Sequence, residues 1–347
     1  MMDYSKHVDA LSYAHGEPDG CANLKAQVED FRVNEVLPFE PSDEGEHEFL
    51  YVQKTGLNTE DVVKRLARHA DVPRRSVSFA GMKDRQAITK QWFSVQLPGK
   101  VGPDWSLLND AELNIENVTR HLKKLKRGSI KHNEFEITLS QLDADKALIE
   151  ARVELIKQEG VPNYFMQQRF GYQCQNLRRA YELFEKKETM RNKKLRSLFL
   201  SSARSYLFNQ VLSRRVGDKS WDKGLEGEVF ILNGTRQFFQ HDGLDEGITE
   251  RLLEHDIHCS GPLFGIDDSP TSGLVKVLED NIFSGNGVFC DGLSRAKMES
   301  SRRALRVIPQ QMSVQWLAPD CLRLTFNLAS GCYATAVIRE LVKVATN

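Results

Sequence analysis

The stretch FAGMKDRQAITKQWFSV, residues 79–95, contains a charged loop between two segments that have the composition of β-strands. β-Branched, aromatic and other apolar side chains are frequent in residues 76–80 and 91–97, which predicts a strand on either side of the loop. Gly81 allows the backbone to turn without the steric penalty of a Cβ atom. We therefore expect residues 81–90 to form an exposed connection between the two strands.

A single aspartate of this loop, Asp84, lies between two cations, Lys83 and Arg85. A cation close to a carboxylate favours its ionised form at neutral pH. An ionised carboxylate on a shaped loop can act as a nucleophile or as a base. From residue types alone, a charged β-turn is the simpler explanation, and the catalytic explanation stays open.

The overall composition is that of an ordinary globular protein. The 347 residues are 40% hydrophobic and 27% charged, and a chain of this length suggests about two domains. No apolar run approaches the roughly 20 residues of a membrane span, and the N-terminus lacks the pattern of a signal peptide. The six cysteines form no C-x-x-C pair, and none has zinc-finger spacing to a histidine. We therefore expect a cytoplasmic protein with no metal site and no disulfide framework.

The net charge of −1 does not indicate a nucleic-acid partner, but the basic residues are clustered. The clusters are residues 120–131, which contain six Lys or Arg and no acid, residues 186–215, and the group Arg302, Arg303 and Arg306. Local basic patches of this kind fit a face that binds a polyanion. Each patch is equally explained as a solvated helix face, so together they favour nucleic acid only modestly.

Apolar periodicity predicts the secondary structure on both sides of the opening stretch. Alternating apolar residues predict strands, and apolar residues at helical spacing from Val62 to Ala70 predict a helix that begins after Asn58. The other predicted strands are 26–36, 48–53, 134–139, 312–317 and 322–328, and the other predicted helices are 143–157, 176–188, 195–216 and 334–344.

The order of these elements predicts two domains. The segment GVPN, residues 160–163, interrupts the pattern, and from there to about residue 306 the chain is rich in helices. We therefore predict an α+β fold. Residues 1–160 and 307–347 form one discontinuous domain from both chain ends, and residues 161–306 form an inserted, helix-rich α/β domain.

The string Gly81-Met82-Lys83-Asp84-Arg85, followed by Ala87, Thr89 and Gln91, resembles a motif of the tRNA pseudouridine synthase D family. Six further segments resemble motifs of that family in the same order, namely 25–36, 128–135, 163–171, 204–209, 261–265 and 331–341. Each motif is weak by itself, but seven in one order along most of the chain are specific. One residue departs from the pattern. Met166 stands where the family usually has a glycine, which permits a positive φ or a close backbone approach.

The resemblance implies that the discontinuous domain is catalytic and has a pseudouridine-synthase-like mixed sheet with flanking helices. It implies the isomerisation of uridine to pseudouridine in tRNA, typically at position 13, with Asp84 as the catalytic nucleophile. The glycosidic bond breaks and a carbon–carbon bond forms, so neither a redox cofactor nor a metal is required. Whether the carboxylate attacks C1′ of the ribose, attacks C6 of the base or takes part in an elimination stays open.

The resemblance also implies a partner for Asp84. A nucleophilic carboxylate has to be ionised and aimed, and Lys25, in the first family motif, is the predicted cation that pairs with it. Lys83 and Arg85 are sequence neighbours of Asp84, but adjacent residues of an extended chain point to opposite sides. We therefore predict that they contact the substrate through its phosphates, with a surface role as the alternative.

Three further residues are predicted to bind the target nucleotide. Phe31 would stack on the base, because a base that leaves its stack needs an aromatic or apolar wall. Asn133 can offer a donor and an acceptor to the uracil edge or the ribose. Phe326 would complete the pocket. Without the resemblance, Phe31 and Phe326 are ordinary core residues of alternating strands, and Asn133 is a turn residue after a basic run.

Two other functions are compatible with the same residues. One is a non-catalytic RNA-binding protein or RNA chaperone on the same scaffold, which need not retain Asp84 and its loop. The other is a nucleoside hydrolase that uses Asp84 as nucleophile, although the large insert and the basic runs favour a macromolecular substrate. We expect tRNA as the partner, and a monomer without a membrane or an obligate protein partner.

Overall fold

The computed structural model describes residues 4–188, 190–241 and 243–344. Within these ranges the chain forms two compact units, each of which is described by itself. The sheet unit comprises Pro18–Lys157, Pro309–Gly331 and residues 341–344, and the helical unit comprises residues 4–17, Gln158–Ile308 and Cys332–Glu340.

The regular elements are numbered in chain order. The strands are β1 (Cys21–Leu24), β2 (Phe31–Val36), β3 (His47–Thr55), β4 (Val77–Phe79), β5 (Ile88–Gln96), β6 (Leu113–His121), β7 (His132–Asp143), β8 (Val161–Pro162), β9 (Val229–Leu232), β10 (Phe238–Gln240), β11 (Ile257–Leu263), β12 (Ser301–Ala304), β13 (Arg306–Val307), β14 (Gln310–Ala318), β15 (Cys321–Ala329) and β16 (Lys343–Val344). The α-helices are α1 (Tyr4–Asp9), α2 (Thr59–His69), α3 (Lys146–Glu159), α4 (Gln167–Phe170), α5 (Gln175–Glu185), α6 (Lys193–Gly217), α7 (Glu246–Leu253), α8 (Gly273–Ser284), α9 (Gly287–Arg295) and α10 (Ala334–Leu341). None of the helices in the described ranges combines the length and the apolar character that a membrane crossing requires.

One mixed sheet organises the sheet unit. Its strands follow the order β14-β15-β7-β2-β5-β3-β6, and β1, β4 and β16 pair beside this path. β2 is parallel to β5 and β1 is parallel to β16, whereas the other pairs along the path are antiparallel. The predicted fold class, α+β with a mixed sheet and flanking helices built from both parts of the chain, is confirmed.

Most predicted elements are present, and the differences at their ends have local causes. The strand predicted at 26–36 begins only at Phe31, because Val28–Asp30 forms a 3₁₀ turn. The last carboxylate of this turn accepts a hydrogen bond from the amide of Gln27 at 2.8 Å, which bends the chain before β2. The predicted last helix ends at Leu341, since the chain then pairs with β1 as strand β16.

Helix α2 packs on one face of the sheet through the apolar stripe that the sequence predicts. Val62, Val63 and Leu66 are buried in a cluster with Leu50 and Val52 of β3. Burial of one such side chain contributes about 1.5–3 kcal/mol to folding. We call the side of the sheet toward which residues 50 and 52 point the inner face.

Helix α6 forms the centre of the helical unit. Its buried residues include Phe199, Leu207 and Phe208, which belong to the large apolar cluster of this unit. Asn209 of the same helix donates to the carbonyl of Phe165 at 2.7 Å, and its side-chain oxygen accepts from the amide of that residue at 2.9 Å. This two-point contact fixes the segment that precedes α4.

Met166 fits its position without strain. It lies immediately before α4 with φ −94° and ψ 173°, which is extended backbone that any residue adopts. Its half-buried side chain packs against the apolar cluster of the helical unit. The loop of residues 163–171 therefore needs no glycine at this point, and the methionine adds apolar contact.

The C-terminal helix α10 holds the N-terminal segment in the helical unit. Glu340 Oε2 accepts hydrogen bonds from the amides of Ala14 and His15 at 3.0 and 3.3 Å. Arg339 donates to the carbonyl of Leu11 at 2.6 Å. Both segments thus lie in the helical unit, although the prediction grouped them with the catalytic domain. Which unit is catalytic stays a prediction at this point.

Several arginines of the basic sequence runs are buried inside the helical unit. Arg215 pairs with Glu228 at 2.6 Å, and Arg302 pairs with Glu279 at 2.9 Å. Arg306 is also buried and donates to a main-chain carbonyl at 2.7 Å. Because their guanidinium groups are enclosed by protein acceptors, these three arginines fit neither of the two explanations that the sequence left open, a polyanion-binding face or a solvated helix face.

The pair between Arg215 and Glu228 gives a prediction for stability. We expect Arg215→Met to lower the free energy of unfolding by about 3–5 kcal/mol, because Glu228 would stay buried without its cation. Urea unfolding followed by circular dichroism measures this loss. The double variant Arg215→Met/Glu228→Leu should recover most of it, and Arg214→Met, which breaks an exposed pair with Asp218, should have little effect. An Arg215→Met protein as stable as the wild type would contradict the argument.

Candidate functional site

The residues that were predicted to contact the base lie together on the inner face of the sheet. Directly paired residues of neighbouring strands share a face, and Glu35 of β2 pairs with Asn133 of β7, while Phe135 of β7 pairs with Phe326 of β15. Phe31 points the same way as Glu35, because alternate residues of a strand share a face. The paired residues of β2 and β5, and those of β5 and β3, place Phe31 and Glu35 on the same side of the sheet as residues 50 and 52. This side is the inner face.

Asp84 lies on the irregular connection between β4 and β5, which we call the Asp84 loop, residues 80–87. Lys25 Nζ donates to Asp84 Oδ2 at 2.7 Å, and the same cation lies 4.0 Å from the centroid of the Phe31 ring. The side chains of Lys25 and Asp84 are 18% and 37% exposed, so solvent and a substrate can reach the pair. Asp84 Oδ1 has no hydrogen-bond partner among the described residues. Within those same ranges, no three His, Cys, Asp or Glu side chains are grouped so that they could hold a metal ion.

The backbone of Lys25 is strained. Its φ of 60° lies in the left-handed region, which costs a residue other than glycine about 1–2 kcal/mol. The side-chain amide of Gln86 donates to the carbonyl of Lys25 at 3.1 Å, so the Asp84 loop helps to hold the strained residue in place. Backbone strain of this kind is concentrated at functional sites.

Lys83 turns toward the sheet. Its ammonium forms an ion pair with Glu35, and the two side chains are only 7% and 0% exposed. Burial raises the pKa of the Glu35 carboxyl, and the ammonium of Lys83 acts in the opposite direction. Lys83 is thus not presented to an RNA phosphate, contrary to the prediction. Arg85, by contrast, is exposed and donates to the carbonyl of Gly56 at 3.2 Å, which leaves it at the surface.

Buried side chains from the neighbouring elements hold the remainder of the Asp84 loop. The contacts are Lys54 Nζ to the Asp84 carbonyl at 2.7 Å, the Lys83 amide to Thr59 Oγ1 at 3.0 Å, and the Gln91 side-chain amide to the Gly81 carbonyl at 3.0 Å. Lys54, Thr59 and Gln91 are all completely buried. These side chains therefore pair with the backbone groups of the loop, as the backbone of a neighbouring strand pairs with those of a strand in a sheet.

Gly81 has a steric role in this arrangement. Its φ is not in the left-handed region, so conformational freedom is not the reason for the glycine. A Cβ atom at this position would lie 3.0 Å from Ile130 Cδ1 and 3.6 Å from Lys83 Nζ. The missing side chain thus lets the loop lie close to both neighbours.

The basic run that follows β6 packs against the start of the Asp84 loop. The amide of Gly128 donates to the carbonyl of Ala80 at 2.8 Å, and the guanidinium carbon of Arg127 lies 3.4 Å from the centroid of the Phe79 ring. Burial lowers the pKa of this arginine. The backbone of the run is therefore fixed beside the start of the Asp84 loop.

Only some cations of this run are available to a partner. Arg120 pairs with Glu48 at 2.9 Å and has a structural role. Lys123, Lys126 and Lys131 are exposed, and no carboxylate of the described residues pairs with them. These three lysines are exposed cations in the same unit as Asp84, and we refer to them together as the lysine surface.

The aromatic residues of the inner face differ in their exposure. Phe31 and Phe326 are 3% and 1% exposed, so neither offers an open ring face. Phe135 is half-buried, stacks on Phe326 with 5.5 Å between centroids, and meets Phe31 edge-on at 6.1 Å. Phe135 was not among the residues predicted from the sequence, although its position on an alternating strand two residues after Asn133 was a usable signal.

Asn133 has an unused hydrogen-bonding group. Its Oδ1 is buried and has no hydrogen-bond partner among the described residues. An unpaired buried amide oxygen costs about 1–3 kcal/mol, which a ligand that supplies a donor would recover. The atom therefore marks a place where a polar ligand group fits.

Comparisons with known proteins identify relatives along nearly the whole chain. The family model for tRNA pseudouridine synthase D (TruD) matches residues 7–187 and 173–341. A tRNA pseudouridine synthase D from Pseudomonas syringae pv. syringae is 46% identical over 329 residues, which are 95% of this chain and 93% of that protein. The protein of the same name from Methylococcus capsulatus is 44% identical over 335 residues, 96% and 95% of the two chains. A crystal structure of the putative tRNA pseudouridine synthase D from Methanosarcina mazei has the same fold, with a TM-score of 0.73, 21% identity and coverage of 98% and 97%.

The buried pair between Lys83 and Glu35 gives a second stability prediction. We expect Lys83→Met to lower the free energy of unfolding by about 3–5 kcal/mol, because the buried Glu35 carboxylate loses the cation that pairs with it. The double variant Lys83→Met/Glu35→Leu should lose much less, and a double-mutant cycle from urea unfolding measures the coupling. A lysine that binds phosphate would give the opposite pattern: unchanged stability and weaker RNA binding.

Proposed function

The chain belongs to the tRNA pseudouridine synthase D family, and on this premise we propose that it isomerises uridine to pseudouridine in tRNA, at position 13. In this proposal Asp84 is the catalytic nucleophile and Lys25 is its charge partner. The observation that carries the proposal is the ion pair of 2.7 Å between these two residues in a solvent-accessible position. The sheet unit is then the catalytic domain, and the helical unit corresponds to the insert.

The reaction rearranges bonds without a change in oxidation state. The N1–C1′ bond breaks, the base rotates, a C5–C1′ bond forms, and the proton on C5 leaves while N1 gains one. Lys25 holds Asp84 Oδ2, so Oδ1 is the oxygen that would attack C1′ or C6, or remove a proton in an elimination. A carboxylate next to a fixed cation needs little reorganisation when the substrate arrives, which is how preorganised sites accelerate reactions.

The target base would lie on the inner face of the sheet unit. A base that leaves its stack needs a replacement wall, and the half-open ring of Phe135 supports this role better than the buried rings of Phe31 and Phe326. Those two rings would then act by supporting Phe135 and the cation of Lys25. The unpaired Oδ1 of Asn133 suits the N3–H of uracil or a ribose hydroxyl.

Exposed cations in each unit would hold the RNA by its phosphates. In the sheet unit these are Arg85 and the lysine surface. In the helical unit they would be the exposed cations between the end of α5 and the start of α6, namely Lys186, Lys187, Arg191, Lys193, Lys194 and Arg196. A folded RNA is recognised largely through its shape and its phosphates, so surfaces of this kind support a tRNA substrate.

The central prediction concerns the carboxylate of Asp84. Incubated with tRNA tritiated at C5 of its uridines, the wild-type protein should release tritium, because C5 loses its hydrogen when the new bond forms. Asp84→Asn should release none above the protein-free background while it still binds tRNA. Mapping of the product should place pseudouridine at position 13.

A matched control is Asp71→Asn, the same chemical change at an exposed turn residue whose φ of 50° asparagine also adopts. This variant should release tritium like the wild type. Binding of tRNA without release by any of the proteins would favour a non-catalytic RNA-binding function. Release of free uracil would favour a hydrolase.

The second functional prediction concerns salt. The affinity for tRNA should fall steeply as the salt concentration rises, since phosphate contacts release counterions. Lys123→Ala/Lys126→Ala should weaken binding and reduce the slope of log K against log salt by about two, or roughly one for each lost contact. Lys276→Ala, which removes an exposed lysine already paired with Asp280, serves as the control and should leave the slope unchanged. A flat dependence for the wild type would contradict the role of the lysine surface.

A further inference from the structure

Lys54 is a completely buried lysine directly behind the proposed nucleophile. Strand β3 directs its side chain to the inner face, where it pairs across the sheet with Thr89 of β5. Its ammonium donates to the carbonyl of Asp84 at 2.7 Å and to the carbonyl of Leu57 at 2.8 Å. Within the described ranges no carboxylate forms an ion pair with it, and both of these acceptors are neutral main-chain oxygens.

A cation in this place is energetically unfavourable for the fold. Removal of an ammonium from water carries a penalty of several kcal/mol, and two carbonyl acceptors offset it less well than a carboxylate would. A neutral donor such as a glutamine amide could also satisfy a loop carbonyl. The feature that needs an explanation is therefore the charge, which lies behind the peptide group of Asp84.

We propose that Lys54 is a positioning residue for the isomerisation: it fixes the main-chain carbonyl of Asp84 and supplies a buried positive charge behind the carboxylate. Lys25 fixes the carboxylate from the exposed side and Lys54 fixes the peptide from the buried side. The nucleophile is thus held at two points before the substrate arrives. This inference rests on the proposed role of Asp84 as the nucleophile.

The charges around Lys54 decide its behaviour with pH. Burial lowers its pKa from 10.5 to about 8; the negative charge of Asp84 acts against this shift, and the positive charge of Lys83 acts with it. Lys83 forms an ion pair with Glu35, and Asp84 forms an ion pair with Lys25. The charges of Lys83 and Asp84 are therefore held in place near Lys54. Above about pH 8, Lys54 becomes neutral and can still donate to both carbonyls, but the positive charge behind the nucleophile is lost.

Three variants separate the two contributions of Lys54. Lys54→Met removes donor and charge, Lys54→Gln keeps a donor without charge, and Lys54→Arg keeps the charge. We expect Lys54→Met to lower the single-turnover rate of tritium release by about 100-fold, the size of effect that a misplaced reacting group produces. The affinity for tRNA should not change. The control Lys90→Met, on the next strand and paired with Glu116, should keep the wild-type rate.

The pH profile is the measurement that a merely structural role would not change. The wild-type rate should fall above about pH 8 as Lys54 loses its proton, and Lys54→Arg should lack this fall because a guanidinium stays charged. Lys54→Gln should be slow at every pH in this range.

Stability gives an independent measure of the same titration. Between about pH 8 and 10.5 the unfolded chain keeps the proton that the folded protein has released. The stability of the wild type relative to Lys54→Met should therefore rise with pH in this window. A flat difference would mean that Lys54 titrates as an ordinary lysine, and it would overturn the pH part of the inference.

The outcomes distinguish this inference from the proposed function. A folded Lys54→Met protein with the wild-type rate would overturn the positioning role, even if Asp84→Asn is inactive. A rate loss that matches an equal loss of tRNA binding would also overturn it. Tritium release by Asp84→Asn would instead disprove the proposed function, whatever Lys54 does.

Discussion

The ion pair between Lys25 and Asp84 depends on a loop that has no regular hydrogen bonding of its own. A β-strand is fixed by a regular series of backbone hydrogen bonds to its neighbours. The Asp84 loop lacks such a series and is fixed by individual side-chain contacts. Three lysines provide much of this support, with Lys25 at the carboxylate, Lys54 at the carbonyl and Lys83 acting through Glu35. The strained backbone of Lys25 shows that the fold accepts an energetic penalty here to bring a cation to the carboxylate.

The same sequence property, a run of basic residues, has opposite structural meanings in different parts of this chain. Arg215 and Arg302 each neutralise a glutamate in a dry interior, where the pair is stable only because both partners are present. Lys123 and Lys126 stand in water without a carboxylate partner among the described residues. Sequence clustering cannot separate these cases, because burial depends on residues that are distant in the chain. The structure separates them by exposure and by the acceptors around each guanidinium or ammonium group.

The sequence predicts the strands and helices that have a strong apolar periodicity. It does not predict the role of a side chain when that role depends on a contact partner that is distant in the chain. Strand alternation and the apolar stripe of α2 predict the strands and the helix, whereas the mixed sheet was expected from the family resemblance. Lys25 and Asp84 come together as the family motifs imply, at 2.7 Å. Lys54 and Phe135 were missed because alternation shows which face a residue points to, but not what it meets there. Lys83 was assigned to phosphate because its buried partner, Glu35, lies 48 residues away.

Glu35 connects the register of the sheet with the position of the nucleophile. On β2 it pairs with Asn133, which carries the unpaired amide oxygen, and its carboxylate holds the residue that precedes Asp84. A shift of one residue in the pairing of a strand turns all its side chains to the other face. Such a shift in β2 would remove the anchor of the Asp84 loop and also turn Phe31 away from Lys25. The strand register therefore specifies both the base-binding side and the orientation of the carboxylate, which explains why a charged residue occupies a fully buried position in the middle of this sheet.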